Sequence, residues 1–299
     1  LNLFNAPSLG QLSNDRAPSS MSYLGRYALM DIPLSNFSNS GIDVVGIMIK
    51  EKIISVLNHL GSLRVFNENT KIGKETIMFN EGATNQKENT DISCMNANPW
   101  VTFAKNVDLV VIQSSHILTN INLKNVVKSH IESGKDITIC YKKINDGNKA
   151  FLKSQNIELN KIIRLRENDA KSPNVNTNLE IYVISRDLLV KISNEYLEKD
   201  KTISLDRAIM EMVNNNELSV NPYEYKGYAR SYDSMEHYLE YSLEMLDYEV
   251  AKEMFKPNWP YYTITHDTPP AKYAANADVK DSFVANGAVV TLRMYSDNN

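Results

Sequence analysis

The segment GRYALMDIPLSNFSNSGI, at positions 25–42, concentrates side chains that could bind a ligand. Arg26, Asp31 and Asn36 are the charged and amide side chains of this segment that could contact a ligand. Hydrogen bonding within a loop and at a helix start is at least as good an interpretation of Asp31 and Asn36. For Arg26, and for His116 further along the chain, ligand contact and a structural role are equally good interpretations.

Composition and charge exclude several classes of protein. The formal net charge of -4 and the absence of a lysine or arginine block disfavour a nucleic-acid-binding surface. Cys94 and Cys140 form no C-x-x-C or Cys/His cluster, so we expect two buried, reduced thiols and no structural zinc. No apolar run is long enough to span a bilayer, and the N-terminal residues do not resemble a secretory signal. We therefore expect a cytoplasmic protein.

Apolar periodicity predicts the elements that must position these side chains. Strands are predicted at 44–49, 109–112, 136–141, 162–165 and 179–184, and helices at 53–60, 123–131, 186–196 and 205–213. The inner faces of the first two helices are predicted from apolar residues at helical spacing: Ile53, Ile54, Leu57 and Leu60; Leu123, Val126, Val127 and Ile131. The alternation predicts an α/β fold with a doubly wound, mainly parallel, Rossmann-like sheet. Such sheets bind ligands at the carboxyl ends of their strands.

Two stretches are predicted to lack regular structure, and one of them divides the chain. Residues 64–93 are polar and aperiodic, which indicates a long loop. Residues 256–272 contain four prolines and are predicted to leave a main domain, 1–255, for a C-terminal segment, 256–299. In that segment Val284 and Val290 are spaced like the opening turn of a left-handed β-helix.

The segment 25–42 resembles a signature of bacterial glucose-1-phosphate adenylyltransferase, also called ADP-glucose pyrophosphorylase. Further matches follow in the family's order at 59–62, 115–117, 225–228, 234–240 and 269–273. The resemblance covers nearly the whole chain. It implies the fold of a sugar-phosphate nucleotidyltransferase, whose reaction joins glucose 1-phosphate to the α-phosphate of ATP and releases pyrophosphate.

The resemblance also shows which parts of the reaction centre are missing. Catalytic members carry a glycine-rich, arginine-containing loop that cradles phosphates, whereas residues 5–12 hold one glycine, no arginine, and Pro7. Ser115 and Ser231 stand where the family has its two magnesium-binding aspartates. A neutral hydroxyl cannot supply the charge that Mg²⁺ requires, so catalysis should fall by orders of magnitude.

The sugar-phosphate grip is altered in the same way. The family's Glu-Lys-Pro matches Glu167-Asn168-Asp169, so the lysine is lost. Asn178 and Glu180 fall in the family's Ala-Ser-Met-Gly-Ile-Tyr stretch, with Glu180 in place of the glycine. We expect Glu180 to add bulk and negative charge. The family's Gly-Thr-Ala nucleotide segment is not recognisable around 96–100.

This pattern resembles the family's second subunit type, the GlgD type, which partners a catalytic subunit. The resemblance therefore implies a regulatory or structural subunit of glycogen biosynthesis, bound to a catalytic paralogue in a hetero-oligomer, with no cofactor of its own. Two alternatives stay open. One is an active adenylyltransferase using Mg²⁺ through relocated ligands such as Asp233, and the other is a sensor of a sugar phosphate or nucleotide. The residues kept as candidate ligand contacts are Arg26, Asp31, Asn36, His116, Glu167 and Asn178.

Overall fold

The structure is a computed structural model that describes residues 1–42, 44–61, 74–80, 82, 85–98, 107–264 and 268–291. Its strands, in chain order, are β1 (Ser22–Tyr23), β2 (Tyr27–Ala28), β3 (Val44–Met48), β4 (Lys74–Met78), β5 (Leu109–Gln113), β6 (Ile117–Thr119), β7 (Ile137–Ile144), β8 (Gln155–Leu159), β9 (Ile163–Glu167), β10 (Val175–Ser185), β11 (Val220–Glu224), β12 (Ala229–Ser231), β13 (Lys272–Tyr273) and β14 (Val289–Val290). Its α-helices are α1 (Asp31–Asn39), α2 (Ile53–Leu60), α3 (Asp91–Ala97), α4 (Leu123–Ser133), α5 (Arg186–Lys199), α6 (Leu205–Asn214), α7 (Met235–Leu243) and α8 (Tyr248–Met254). None of these helices is long and apolar enough to cross a membrane.

The central sheet is built around β10. This strand pairs antiparallel with β5 on one side and with β7 on the other, and β11 pairs parallel with β7. Consequently β5, β7 and β11 run in one direction and β10 runs against them. A parallel return needs a crossover connection, usually a helix. Between β7 and β10 the chain forms only β8 and β9, which pair antiparallel, so β10 comes back in the opposite direction.

The N-terminal residues join this sheet to a second pair of strands. Asn2 forms parallel bridges with both Met48, at the end of β3, and Ser114, just after β5. β3 in turn pairs parallel with β4. The carboxyl ends of β3 and β5 therefore lie on either side of residues 2–5.

The helices are fixed by local capping as well as by packing. Ser185 caps α5 by accepting a hydrogen bond from the Leu188 amide, and Asn122 caps α4 through the Lys124 amide. Gly134 ends α4 in the left-handed conformation that glycine adopts without strain. Cys94 and Cys140 are buried free thiols, as predicted.

The predicted strands and helices are confirmed within a few residues, and three predictions need correction. The six-stranded sheet is mixed rather than mainly parallel: β10 pairs antiparallel with β5, β7 and β8, because the 144–175 connection holds no helix, and the parallel pairing in this sheet is that of β11 with β7. Ile54, Leu57 and Ile131, assigned to inner faces, are 74%, 43% and 65% exposed. Helix α2 instead buries Val56, and α4 buries His130. Residues 64–93 include β4 and the first residues of α3 rather than one long loop, although 62–73 lie outside the described residues.

The C-terminal segment, where it is described, packs back on the body of the protein. β13 and β14 form a two-residue parallel pair, and Ala285 lies against Gly25 in the β1–β2 turn. Earlier in the same segment, the amide of Tyr262 donates a hydrogen bond to Ser35 Oγ, and the Asn39 side chain donates one to the carbonyl of Pro260. Residues 260–262 are thus attached to α1.

Candidate functional site

The segment that follows β5 places a run of polar side chains in the interior. Ser114, Ser115 and His116 are nearly fully buried, and neither serine hydroxyl nor either ring nitrogen of His116 has a hydrogen-bond partner. β6, which begins directly afterwards, pairs antiparallel with β12 so that Ile117 faces Ser231. The Tyr232 amide donates to the His116 carbonyl at 2.8 Å. The two serines that the resemblance singles out therefore lie on adjoining segments.

The only carboxylate in this stretch of β12 and its continuation is held by its own neighbours. Asp233 is buried; one of its oxygens accepts a hydrogen bond from Ser231 Oγ at 3.3 Å. The other oxygen is 2.5 Å from His237 Nδ1, and the His237 ring stacks on Tyr241 with centroids 5.0 Å apart. Asp233 lies two residues before α7 begins at Met235, and His237 lies in the first turn of that helix. The four-residue spacing of the two was the sequence signal for this pair, and sequence reasoning missed it.

A magnesium ion does not fit these donors. Magnesium prefers carboxylates in octahedral geometry, whereas Ser115 and Ser231 are neutral and the Asp233 carboxylate is already engaged. Among the described residues, no three histidine, cysteine or acidic side chains are grouped to hold a metal ion.

Glu180 enters the same region from β10 through an irregularity in the strand. The β10–β7 register shifts between Asn178 and Tyr182, and Glu180 has a φ of 52°, a left-handed value that favours glycine. Asn178 holds this bulge: its side-chain oxygen accepts from the Glu180 amide at 2.9 Å, and its nitrogen donates to Tyr182 Oη at 2.8 Å. The family's glycine at this position suits the backbone that the strand adopts here.

The Glu180 carboxylate reaches His116, with Oε1 3.6 Å from Nε2. Burial, followed by the charges of Asp206, Asp91 and Glu167, raises the pKa of Glu180 well above its usual range. Burial also lowers the pKa of His116 to about 4, although the charge of Asp233 opposes that shift. His116 is therefore neutral at pH 7. We call the set formed by the buried side chains of Ser114, Ser115, His116, Glu180, Ser231 and Asp233 the polar cluster.

Asp31 and Asn36 make structural hydrogen bonds. Asp31 accepts from the Ala28 amide at 2.8 Å and pairs with His59 Nε2 at 2.7 Å, a long-range partner that no local sequence signal indicates. Asn36 is fully buried and donates to the Thr119 carbonyl at 2.8 Å, while its oxygen accepts from Trp259 Nε1 at 3.0 Å. Asp31 makes the local bond that the loop interpretation predicts, and both side chains are also engaged by residues far along the chain.

Replacing Asn36 by alanine should lower the free energy of unfolding by about 2 kcal/mol, because the Thr119 carbonyl and the Trp259 indole would both lose their partner. Urea unfolding followed by circular dichroism measures this loss. Asn39→Ala is the control, since Asn39 makes a solvent-exposed bond to Pro260 and its loss should cost less than half as much. Equal effects would contradict a bridging role for the Asn36 amide.

Arg26 and Glu167 lie outside the polar cluster. Arg26 is exposed in the β1–β2 turn, where its guanidinium carbon is 5.8 Å from the centre of the Tyr27 ring. Glu167 is exposed at the end of β9, 3.7 Å from Arg207. The structure therefore brings together Ser115, His116 and Ser231, with Asn178 supporting Glu180, and leaves these two residues at the surface.

The loop expected to cradle phosphates forms its own hydrogen bonds instead. Residues Gly10–Ser13 form a 3₁₀ helix. The Leu9 amide donates to Ser13 Oγ at 2.9 Å, and the Gly10 amide donates to Ser8 Oγ at 3.3 Å. Both amides are thereby occupied by serine side chains. Around 96–100, Asn96 is inside α3 and bonds Ser193, while residues 99 and 100 lie outside the described residues.

Comparison with known proteins identifies related sequences. The family model described as "Nucleotidyl transferase" matches residues 8–223. The "Glycogen biosynthesis protein GlgD" of Bacillus subtilis (strain 168) is 29% identical over 293 residues, which cover 95% of this chain and 73% of that protein. The "Glucose-1-phosphate adenylyltransferase" of Clostridium acetobutylicum is 24% identical, covering 96% and 77%, and that of Bacillus subtilis is 23% identical, covering 94% and 75%. These matches confirm the resemblance inferred from residues 25–42.

Proposed function

Because the chain belongs to the nucleotidyl transferase family, we propose that it is a catalytically degenerate subunit acting in glycogen biosynthesis. Its role is regulatory or structural, and its partner is a catalytic glucose-1-phosphate adenylyltransferase paralogue. The relatives named for glycogen biosynthesis and for glucose-1-phosphate adenylyltransferase support the pathway and the partner. A cytoplasmic location and the absence of a magnesium cofactor are parts of the same proposal.

One observation carries the proposal: neutral hydroxyls occupy both positions where the family resemblance expects magnesium-binding aspartates. Ser115 and Ser231 are fully buried, so water does not compensate for the missing charge. Nucleotidyl transfer depends on positioning and on neutralising phosphate charge. Metal assistance contributes several kcal/mol to such reactions, and each 1.4 kcal/mol is about tenfold in rate.

The proposal is tested by assaying the purified protein with ATP, glucose 1-phosphate and Mg²⁺. Alone it should form ADP-glucose at least about a thousandfold more slowly than the paralogue, given the loss of metal-assisted stabilisation. Mixed with the paralogue, it should change that enzyme's kcat, KM or response to metabolites. Robust turnover by the protein alone would refute the degenerate assignment.

A second candidate, an active adenylyltransferase, is favoured by the position of Asp233 beside Ser231. If Asp233 replaced a lost metal ligand, Asp233→Asn would abolish activity. We expect instead less than a twofold change in the already low rate, because His237 and Ser231 hold the carboxylate. His237→Ala is the matched variant: it frees the same carboxylate, so a gain of magnesium-dependent turnover there would favour the enzyme.

We also propose an organisation for the C-terminal part of the chain. A division into 1–255 and 256–299, with a left-handed β-helix beginning in the second part, is supported by the parallel β13–β14 pair. The pair is two residues long, and residues 292–299 lie outside the described residues.

A further inference from the structure

Helix α7 carries apolar side chains on the side that faces solvent. Met235, Leu239 and Leu243 follow one another at four-residue spacing and are 46%, 59% and 48% exposed. The inner side of the same helix is already filled, since Tyr241 is buried against Tyr232. We call Met235, Leu239 and Leu243 the apolar stripe. Residues spaced in this way are typical of a helix that docks into an apolar groove of a partner.

The stripe lies in the most acidic part of the chain. Residues 235–254, which span α7 and α8, contain six acidic residues and a single lysine, a formal charge of -5. The whole chain has a formal charge of -4, so the remainder is slightly basic. Glu236 and Glu240, beside the stripe, are exposed, and the single lysine, Lys252, pairs with Glu249.

This charge distribution discriminates among possible occupants. A second copy of the chain, docked symmetrically, would bring the Glu236 and Glu240 carboxylates of one copy against those of the other. An anionic lipid surface would be repelled for the same reason. A surface with an apolar groove bordered by lysine or arginine would instead gain both apolar burial and charge complementarity.

We propose that the apolar stripe of α7 is the docking face for the catalytic paralogue, which presents a groove of that kind. This inference rests on the proposed function, because the paralogue is the partner named there. To the proposed partnership it adds three things: the surface of this chain that binds the paralogue, the chemistry of the paralogue's complementary surface, and a dependence of the binding affinity on salt concentration. Apolar contact supplies most of the affinity, and the acidic border supplies orientation and association rate.

The experiment uses the full chain and the purified glucose-1-phosphate adenylyltransferase of the same organism. Binding is measured by sedimentation velocity and calorimetric titration at 0.05 and 0.3 M salt. Leu239→Glu, at the centre of the stripe, should weaken binding at least about a hundredfold, as for the loss of a central hot spot. Glu236→Lys/Glu240→Lys should weaken it about tenfold at low salt and less at high salt. Ile131→Glu is the matched control, because Ile131 is an exposed aliphatic residue on α4, and it should bind like the wild type.

Each variant is first shown by circular dichroism to melt cooperatively within a few degrees of the wild type. Equal binding by Leu239→Glu and the wild type would overturn the docking face while leaving the proposed function intact. No binding by the wild-type chain would overturn both. Self-association of the wild type that Leu239→Glu abolishes would show that a second copy occupies the stripe, which also overturns the proposal.

Discussion

Replacing Glu180 by glycine is expected to stabilise the protein by about 3 kcal/mol, as measured by urea unfolding at pH 7. Two costs would disappear together. A side-chain-bearing residue in the left-handed region costs about 1–2 kcal/mol, and Glu180 has a φ of 52°. A buried polar group without a well-formed hydrogen bond costs about 1–3 kcal/mol, and Glu180 Oε2 has no partner in good geometry although the Ser114 hydroxyl is near the carboxyl group.

Two further variants separate these costs. Glu180→Ala keeps a Cβ in the left-handed conformation but removes the carboxyl group together with the Cγ methylene, so it should give about half of the gain. Ala170→Gly changes a residue with a φ of 56° in an exposed segment and should show the backbone contribution alone, about 1 kcal/mol. A destabilised Glu180→Gly protein would mean that the contact with His116 outweighs both costs.

His116 should make the protein sensitive to mild acid. Its folded-state pKa of about 4 is below its ordinary value of 6.5, so the unfolded chain binds the proton more readily between these values. Stability is therefore complete above pH 6.5 and is lost as the pH falls towards 4. The loss is about 3 kcal/mol at about 1.4 kcal/mol per pKa unit. The carboxyl groups of Glu180 and Asp233 face the ring, and burial outweighs the opposing effect of Asp233 on the pKa of His116.

The measurement compares urea unfolding of the wild type and His116→Gln at several pH values between 4 and 7.5. The difference between the two proteins should grow as the pH rises across this range. Glu180→Gln is a useful background, because it removes the carboxyl group that titrates in the opposite direction. A difference that stays constant with pH would show that the imidazole is not held neutral by burial.

Local pattern was sufficient to predict most of the elements, because apolar periodicity and capping act over a few residues. β5, β7 and α6 lie within three residues of their predicted bounds. The direction of β10 was not predictable in this way, since it depends on the absence of a helix between residues 144 and 175. The exposed Ile54 and Ile131 show a second limit: period alone does not tell an inner face from an outer one.

The residues of the candidate site show the same division between what the local sequence predicts and what depends on the fold. The neutral residues at 115 and 231, and the glutamate at 180, were identified because family positions can be counted along the chain. The hydrogen bonds of Asp31 to His59 and of Asn36 to Trp259 join residues far apart in sequence. Only the folded chain shows that these two side chains are engaged internally.

Helix α1 connects the C-terminal part of the chain to the strand that follows His116 of the polar cluster. Residues 259–262 are hydrogen-bonded to three side chains of this helix, those of Ser35, Asn36 and Asn39. The Asn36 amide also donates a hydrogen bond to the carbonyl of Thr119, three residues after His116. A displacement of residues 259–262 must either break these bonds or rotate α1 with it. Movement of residues 259–262 would therefore also disturb the bond that α1 makes to β6.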